Sequence, residues 1–255
     1  MARAAVIFDL DDTLIVEQDF AMASLREALG EVPGVDPVAS EPVALEAIRG
    51  VWRQGPEYAV CLELGIASWE GLWATFEGNH ESLAELASWA PTYRHRAWEA
   101  AVNTLGVDDP TVAAVAAERF RAAQRRGHPD IDGARVTLER IAGSHPVGLL
   151  TNGSSDLQRL KLEQAGLEHA FDDVVVSGEV GRGKPDPAVF VDLLDRLGAR
   201  PEHSVMVGDS WERDVEGALG VGMSVVWIAA GRSAPRGHPR VTVVETVNDL
   251  PGLLN

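Results

Sequence analysis

Two pairs of aspartates each follow a short apolar run of the sequence. Asp9 and Asp11 stand two residues apart at the end of Ala4–Phe8, and Asp209 and Asp214 stand five apart at the end of a later run. Short apolar runs bounded by polar residues are typical of buried parallel strands, whose carboxyl ends are the ligand-binding edge of an open α/β sheet. Carboxylates that converge without a cation raise each other's pKa values, so these side chains predict a cation site.

Two further strand ends carry groups suited to binding an anion. Thr151 and Asn152 follow the apolar run Val147–Leu150. They precede a predicted helix, Ser155–Ala165, whose start offers free N–H groups and the positive end of the helix dipole. Lys184 stands between a glycine and a proline, which restricts the backbone beside it. Oxygen ligands next to an expected phosphate favour Mg²⁺.

Some of these residues also have ordinary structural interpretations. Thr151 can cap the helix that follows it, because capping and phosphate binding use the same N–H groups. Asp214 can occupy the first turn of a helix and interact with its dipole. Five of the seven tryptophans fall between residues 15 and 128, where core packing is a better interpretation than a stacking platform for a substrate.

The order of apolar runs predicts the elements that bring these side chains together. After residue 128, strand-like runs alternate with helix-like segments, which indicates a parallel sheet covered by helices on both faces. We therefore predict an α/β fold with a doubly wound, Rossmann-like parallel sheet as its core. The predicted strands are Ala4–Phe8, Val147–Leu150, Val174–Ser177, Ser204–Val207, Val225–Ala229 and Val241–Thr246, and the predicted helices of this part are Ser155–Ala165, Pro187–Leu197, Glu212–Leu219 and a last turn in Val247–Leu253.

The region between the first two strands has a different pattern. Amphipathic segments separated by Pro-Gly and Asp-Pro turns predict an inserted all-helical domain, which we call the cap. The predicted boundaries give a core domain of residues 1–14 and 129–255 and a cap of residues 15–128. The predicted cap helices are Ala21–Leu29, Val43–Arg53, Ser68–Phe76, Ser82–Trp89, Tyr93–Leu105 and Thr111–Arg125.

Composition excludes several classes of protein. The 22 basic and 39 acidic residues give a net charge of −17, which repels a polyanion, so no nucleic-acid partner is expected. No apolar stretch reaches the roughly 18 residues that span a bilayer, and no cleavage-site pattern follows the first apolar run. The single cysteine, Cys61, forms neither an internal disulfide nor a cysteine-based zinc site. We expect a soluble, cytoplasmic protein without a membrane partner.

Taken together, the motifs resemble those of the haloacid dehalogenase (HAD) superfamily, and they are most similar to its phosphatases with a helical cap inserted after the first motif. Four segments carry the resemblance, in order and each at a predicted strand end: Phe8–Leu14, Leu149–Gly153, Gly183–Pro185 and Val207–Asp214. Asp12 replaces the commoner glycine of the first motif, as in some nucleotidase-like and acylneuraminate-phosphate-phosphatase-like members. The resemblance covers nearly the whole chain.

The resemblance implies hydrolysis of a small phosphorylated metabolite through an aspartyl-phosphate. Asp9 is the expected nucleophile, and Asp11 the expected acid for the leaving alcohol and base for the attacking water. Mg²⁺ is expected on Asp9, Asp209 and the backbone carbonyl of Asp11. Asp214 is expected in or just behind that ligand shell. The residues expected to hold the phosphoryl group are Thr151, Asn152 and Lys184, with Thr151 and Lys184 also counted in the catalytic set.

Other interpretations of the resemblance stay open. A 2-haloacid dehalogenase also uses an aspartate nucleophile, although a halide leaves without a proton and gives Asp11 and a metal little to do. A sugar-phosphate mutase differs in how its cap retains the intermediate, and a regulatory binding protein on the same fold is disfavoured because every catalytic position is filled. Schiff-base chemistry of the phosphonoacetaldehyde type needs a cap lysine, and residues 15–128 contain none. The oligomeric state is open between a monomer and a homodimer.

Overall fold

A six-stranded, all-parallel sheet lies at the centre of the computed structural model, which describes residues 4–252. The strands are β1 (Val6–Phe8), β2 (Val147–Thr151), β3 (Asp173–Val176), β4 (Val205–Gly208), β5 (Ser224–Ile228) and β6 (Val241–Val244). Their order across the sheet is β3-β2-β1-β4-β5-β6. This arrangement confirms the predicted α/β, doubly wound parallel sheet.

The strand order reverses between β1 and β4. Phe8 at the end of β1 pairs with Leu149 of β2 on one side and with Val207 of β4 on the other. The loops that follow these three strands therefore leave the same edge of the sheet at nearly the same height. A reversal of this kind opens a crevice at the carboxyl ends of the strands, where ligands bind in such folds.

Side chains of β1 alternate between two hydrophobic layers because successive residues of a strand point to opposite faces. Val6 and Phe8 pack in one layer, together with residues of α7 (Ala134–Ala142) and α8 (Ser155–Gln164). Ile7 packs in the other, with residues of α10 (Pro187–Arg196) and α11 (Glu216–Gly220). Burial of both faces explains why the strands read as continuous apolar runs. A short helix, α9 (Ser177–Val180), follows β3.

The segment between β1 and β2 is helical and has its own hydrophobic core. Trp98 and Phe120 are fully buried in this core, with their ring centroids 5.8 Å apart. Leu157 of α8 joins the same cluster, so the helical segment and the sheet domain share a packed contact. The helices before α7 are α1 (Gln18–Leu29), α2 (Pro37–Trp52), α3 (Tyr58–Leu64), α4 (Ser68–Gly71), α5 (Ala84–Thr104) and α6 (Pro110–Gln124). We propose that the cap is this unit, with boundaries near residues 14 and 129.

One cap helix is longer than predicted. Two separate helices, Ser82–Trp89 and Tyr93–Leu105, were expected on either side of Pro91, but α5 runs through it without interruption. A proline removes one backbone hydrogen bond from a helix interior. Ala90 and Tyr93 are buried on either side of it, so packing of this face holds the helix together.

Another cap helix is shorter than predicted. The amphipathic run Ser68–Phe76 forms a helix only as far as Gly71, followed by turns. Phe76 has a positive φ of 61°, and Asp156 of α8 accepts hydrogen bonds from the N–H groups of Thr75 and Phe76 at 2.6 and 3.1 Å. The chain therefore leaves the helix to dock on the start of α8, a partner that local sequence does not reveal.

The second cap helix begins earlier than predicted, since α2 starts at Pro37 and not at Val43. Further differences concern short elements. The helices Tyr58–Leu64 and Ala134–Ala142 were not predicted, and the expected helix Glu212–Leu219 is divided into a π-helical turn, Trp211–Val215, and α11. The last predicted turn, Val247–Leu253, is a 3₁₀ helix over Val247–Gly252, and Leu253 lies outside the described residues. Within residues 4–252, no helix combines the length and the apolar character that crossing a membrane requires.

The packing of the cap core generates a stability prediction. Trp98→Ala should lower the free energy of unfolding by about 3–5 kcal/mol, because it removes a buried indole and leaves a cavity. The control is Val115→Ala on α6, whose side chain is 47% exposed and whose loss should cost less than about 0.5 kcal/mol. Urea unfolding followed by circular dichroism measures both. Equal costs for the two variants would contradict the proposed core.

Candidate active site

A buried lysine joins two of the predicted aspartates at the end of β1. The Nζ atom of Lys184 lies 2.7 Å from Oδ1 of Asp9 and 2.8 Å from Oδ1 of Asp214. All three side chains are buried in the crevice between β1 and β4. One ammonium group therefore compensates two carboxylates that arrive from opposite ends of the sequence.

Burial sets the proton affinities of this group. Desolvation raises the pKa of Asp9 well above its usual range, with Lys184 opposing the rise and Asp214 adding to it. Burial by itself would lower the pKa of Lys184, but the two carboxylates outweigh that effect and raise it. Lys184 thus stays charged. A further cation near Asp9 would stabilise the ionised form of its desolvated carboxyl group.

A third carboxylate completes an oxygen-lined cluster. Asp9, Asp209 and Asp214 each place a carboxylate oxygen within 4.8 Å of the other two. Burial, and next the nearby Asp214, raise the pKa of Asp209 to about 6, against the opposing effect of Arg232 at 3.1 Å. Crowded oxygen ligands of this kind suit a hard divalent cation, because such an ion replaces the lost hydration and neutralises the mutual repulsion. The residues present therefore fit a metal site.

Local sequence explains how Asp214 reaches this cluster. Gly208 ends β4, and a Cβ atom there would lie 2.3 Å from Oδ2 of Asp214, so a side chain has no room. The backbone N–H of Ser210 donates a hydrogen bond to the same oxygen at 2.9 Å. The π-helical turn Trp211–Val215 then directs Asp214 inward, where it contacts Lys184 and does more than interact with a helix dipole.

Asn152 holds the backbone of Lys184. Its Oδ1 accepts a hydrogen bond from the Lys184 N–H at 2.8 Å, and its Nδ2 donates to the Lys184 carbonyl at 2.9 Å. Both ends of the amide are thus used to place the lysine. These contacts position Lys184, and contact between Asn152 and a phosphoryl group stays a prediction.

Thr151 does not cap the helix that follows it. Its hydroxyl is buried at the end of β2 and accepts a hydrogen bond from Nε2 of Gln158 at 2.6 Å. The N-cap residue of α8 is Ser154. Gln158 also donates to Oδ2 of Asp11 at 2.9 Å. One amide therefore links Thr151 to Asp11 across the crevice.

Sequence reasoning assigned no role to Lys161, which is fully buried beside Asp11. Its Nζ atom lies 3.1 Å from Oδ1 of Asp11, 3.0 Å from Oε2 of Glu17 and 3.3 Å from Oε1 of Glu70. A signal was present, since Lys161 is one of two lysines in the chain and stands three residues after Gln158 on α8. Residues spaced in this way share a helix face.

The carboxylates around Lys161 have different proton affinities. Desolvation raises the pKa of Glu70 to about 7 and also raises that of Asp11, in both cases against the opposing effect of Lys161. Burial alone would raise the pKa of Glu17. Lys161 and then His128, whose Nε2 lies 2.8 Å away, outweigh that effect and lower the pKa to about 2. Glu70 belongs to the cap, so this cluster connects the cap to Asp11.

Asp12 has a structural role. Its φ of 55° is left-handed, a conformation that aspartate and asparagine tolerate better than most residues and that glycine adopts freely. Its side chain accepts hydrogen bonds from the N–H groups of Glu17 and Gln18 at the start of α1. Asp12 therefore shapes the turn between β1 and the cap.

A cavity of about 380 Å³ lies over Asp9 and Lys184. The cap contributes most of its walls, including Trp52, Tyr58 and Trp69. Trp52 and Trp69 thus line the cavity, and Trp52 is also part of the buried cap core that contains Trp98. A concave site with apolar walls and a few charged groups at its base is typical of small-molecule binding.

The chain is similar to known hydrolases in both sequence and structure. A family model for haloacid dehalogenase-like hydrolases matches residues 4–222. The chain is 37% identical over 227 residues to a phosphoserine phosphatase of Thermus thermophilus, spanning 89% of this chain and 88% of that protein. It is 28% identical over 260 residues to a glyceraldehyde 3-phosphate phosphatase of Methanothermobacter thermautotrophicus, spanning 98% and 99%. The solved structure of the HAD-hydrolase YfnB from Bacillus subtilis, bound to magnesium, matches at a TM-score of 0.68 and 21% identity over 100% of both chains.

The acidic cluster generates a prediction about cation binding. A divalent cation must displace the proton of Asp209 below the pKa of about 6, so affinity should fall as the pH falls. Mn²⁺ titrations followed by electron paramagnetic resonance should show binding about tenfold weaker at pH 5 than at pH 7. Asp209→Asn should lose most of the binding, and the control Asp195→Asn, at an exposed position of α10, should retain it. Affinity that is independent of pH, or undiminished in Asp209→Asn, would contradict this assignment.

Proposed function

The chain belongs to the haloacid dehalogenase-like hydrolase family, and we propose that it is a Mg²⁺-dependent phosphatase of a small phosphorylated metabolite. The observation that carries this proposal is the ion pair between Asp9 and Lys184 within the acidic cluster of Asp9, Asp209 and Asp214. Asp11 lies nearby and is ion-paired with Lys161. Similarity to proteins named as phosphatases of phosphoserine and of glyceraldehyde 3-phosphate supports it.

Asp9 is the proposed nucleophile. One of its carboxylate oxygens attacks phosphorus, the bond from phosphorus to the substrate oxygen breaks, and an aspartyl-phosphate forms. Lys184 holds Oδ1 of Asp9 at 2.7 Å and fixes the direction of attack. Thr151 and the end of β2 complete the proposed phosphoryl site, while Asn152 keeps Lys184 in place.

Asp11 is the proposed acid and base. Its raised pKa favours the protonated form, which gives its proton to the leaving alkoxide as the phosphorus–oxygen bond breaks. The resulting carboxylate then takes a proton from the water that attacks the aspartyl-phosphate. In the structure, Gln158 and Lys161 donate hydrogen bonds to both oxygens of Asp11.

We assign the metal ligands as the oxygens of Asp9 and Asp209 and the backbone carbonyl of Asp11. Asp214 completes the acidic environment, with its two oxygens on Lys184 and on the Ser210 N–H. Bound Mg²⁺ supplies positive charge that offsets the repulsion between an anionic nucleophile and an anionic substrate. The oxygen-only set is the type that Mg²⁺ prefers.

The placement of Asp11 favours phosphate ester hydrolysis over dehalogenation. Halide leaves without a proton, so a dehalogenase would have no use for a carboxyl group held by both Gln158 and Lys161. The structural neighbours include 2-haloacid dehalogenases at 22–23% identity, and a likeness at that level shows the common fold alone.

Phosphate release tests the proposed function. The protein should release phosphate from p-nitrophenyl phosphate and from small phosphate monoesters only when Mg²⁺ is present. Asp9→Asn should lower kcat by about 10⁴-fold or more, because loss of a covalent nucleophile removes the whole route. The far-ultraviolet circular dichroism of this variant should match that of the original protein.

Two outcomes would contradict the proposal. Substantial turnover by folded Asp9→Asn would remove Asp9 as nucleophile. Absence of phosphate release from every ester, together with chloride release from 2-chloropropionate, would identify a dehalogenase.

The contact between Lys161 and Asp11 generates a separate prediction. Lys161→Met raises the pKa of Asp11 further but removes the ammonium group that positions its Oδ1. Because a misplaced acid cannot protonate the leaving group, kcat/KM should fall about 10- to 100-fold further for an alkyl phosphate than for p-nitrophenyl phosphate, whose leaving group needs no proton. Because kcat/KM reports the steps through cleavage of the ester, the comparison isolates the acid step.

A control on the same helix is Glu163→Gln, at an exposed position of α8, which should alter neither value. Lys161→Arg retains a cation and serves if the methionine variant does not fold. Equal losses on both esters would show that Lys161 acts on folding or on binding and not through Asp11.

A further inference from the structure

The acidic side chains in the cavity wall are already occupied by contacts within the protein. Glu17 lies against Lys161 and His128 and accepts a hydrogen bond from Nε1 of Trp69 at 3.1 Å. Glu70 lies against Lys161 and accepts a hydrogen bond from the backbone N–H of Ala67 at 2.8 Å. Neither glutamate offers the substrate an unpaired negative charge.

Two arginines that line the same cavity lack such contacts within the protein. Within residues 4–252, the guanidinium groups of Arg49 and Arg213 have no carboxylate within 4.0 Å and make no hydrogen bond. Arg53, which also lines the cavity, differs because it pairs with Glu46. The cavity wall therefore carries two guanidinium groups without a direct ion-pair partner, in a protein whose net charge is −17. Arg213 is partly buried, whereas Arg49 is exposed and lies near Glu46.

Arg213 lies at the junction of the cap and the core. A Cβ atom at Gly65, the residue that ends α3 with a φ of 72°, would lie 2.7 Å from Nη1 of Arg213 and 2.9 Å from Cβ of Asn152. The guanidinium group is therefore packed over bare backbone of the cap, close to the residue that holds Lys184. Arg213 lines the same cavity as Asp9, the residue at which the phosphate is expected.

We propose that the substrate is a phosphomonoester that carries a carboxylate as a second anionic group, and that Arg213 binds this carboxylate, with Arg49 adding positive potential to the same cavity. The proposal rests on the proposed phosphatase function. A guanidinium group presents paired N–H donors that match the two oxygens of a carboxylate. Such a contact would occupy the half-buried arginine and counter the repulsion of an anionic substrate by the acidic protein.

Matched pairs of esters test this inference, because the members of a pair differ in the carboxylate and share the phosphate. Suitable pairs are 3-phosphoglycerate with glycerol 3-phosphate, O-phosphoserine with O-phosphoethanolamine, and 2-phosphoglycolate with ethyl phosphate. The protein should show a higher kcat/KM for the carboxylated member in at least one pair, measured as phosphate release with Mg²⁺.

Arg213→Gln should lower that preference about 10- to 100-fold, the effect expected when a hydrogen-bonded charge pair is removed. Arg213→Lys should restore part of it. The control Arg200→Gln, at an exposed position before β4, should keep the original preference.

The outcomes separate this inference from the proposed function. Hydrolysis of p-nitrophenyl phosphate without preference for any carboxylated ester would overturn the second-anion inference and leave the phosphatase standing. Equal losses by Arg213→Gln on both members of a pair would also overturn it, since the arginine would then act on the shared phosphate or on the fold. Failure to hydrolyse any phosphate ester would instead contradict the proposed function.

Discussion

Burial of several carboxylates at one edge of the sheet depends on two lysines that are buried with them. Lys184 compensates Asp9 and Asp214, and Lys161 compensates Asp11 together with two glutamates of the cap, Glu17 and Glu70. Removing one partner from a buried ion pair leaves an uncompensated charge, at a cost of about 3–5 kcal/mol. These are the only two lysines of the chain, and all of its other Lys and Arg residues are arginines.

The sheet domain was predictable because its pattern is local. The first strand is an apolar run that ends at Asp9, and the same type of run precedes Thr151 and Asp209. The cap was predictable as helical but less so in detail. Continuity of α5 through Pro91 depends on packing against other cap helices, and the early end of α4 depends on Asp156 in the core domain. Contacts between distant segments determine where these helices continue or end, and such contacts cannot be predicted from amphipathic periodicity.

The site divides in the same way. The aspartates next to strand ends could be predicted from their residue type and position, because a parallel sheet brings the ends of its strands to one crevice. The positioning residues were harder to foresee. Lys161 meets Asp11 from 150 residues away and Glu70 from 91 residues away, so its importance follows only once α8 and the cap are packed on β1. Asn152 was singled out from its motif, but its observed partner is the backbone of Lys184.

Charge places the last constraint on how this site captures its ligand. At −17, the protein as a whole repels an anion, and both lysines near the site are already paired with carboxylates. Attraction must therefore arise over a short distance, from a cation held by the acidic cluster and from unpaired arginines in the cavity wall. The cap supplies Arg49 and the backbone against which Arg213 packs, and it also forms most of the wall over Asp9. The position of the cap on the sheet domain therefore determines both the enclosure of Asp9 and the local positive charge in the cavity.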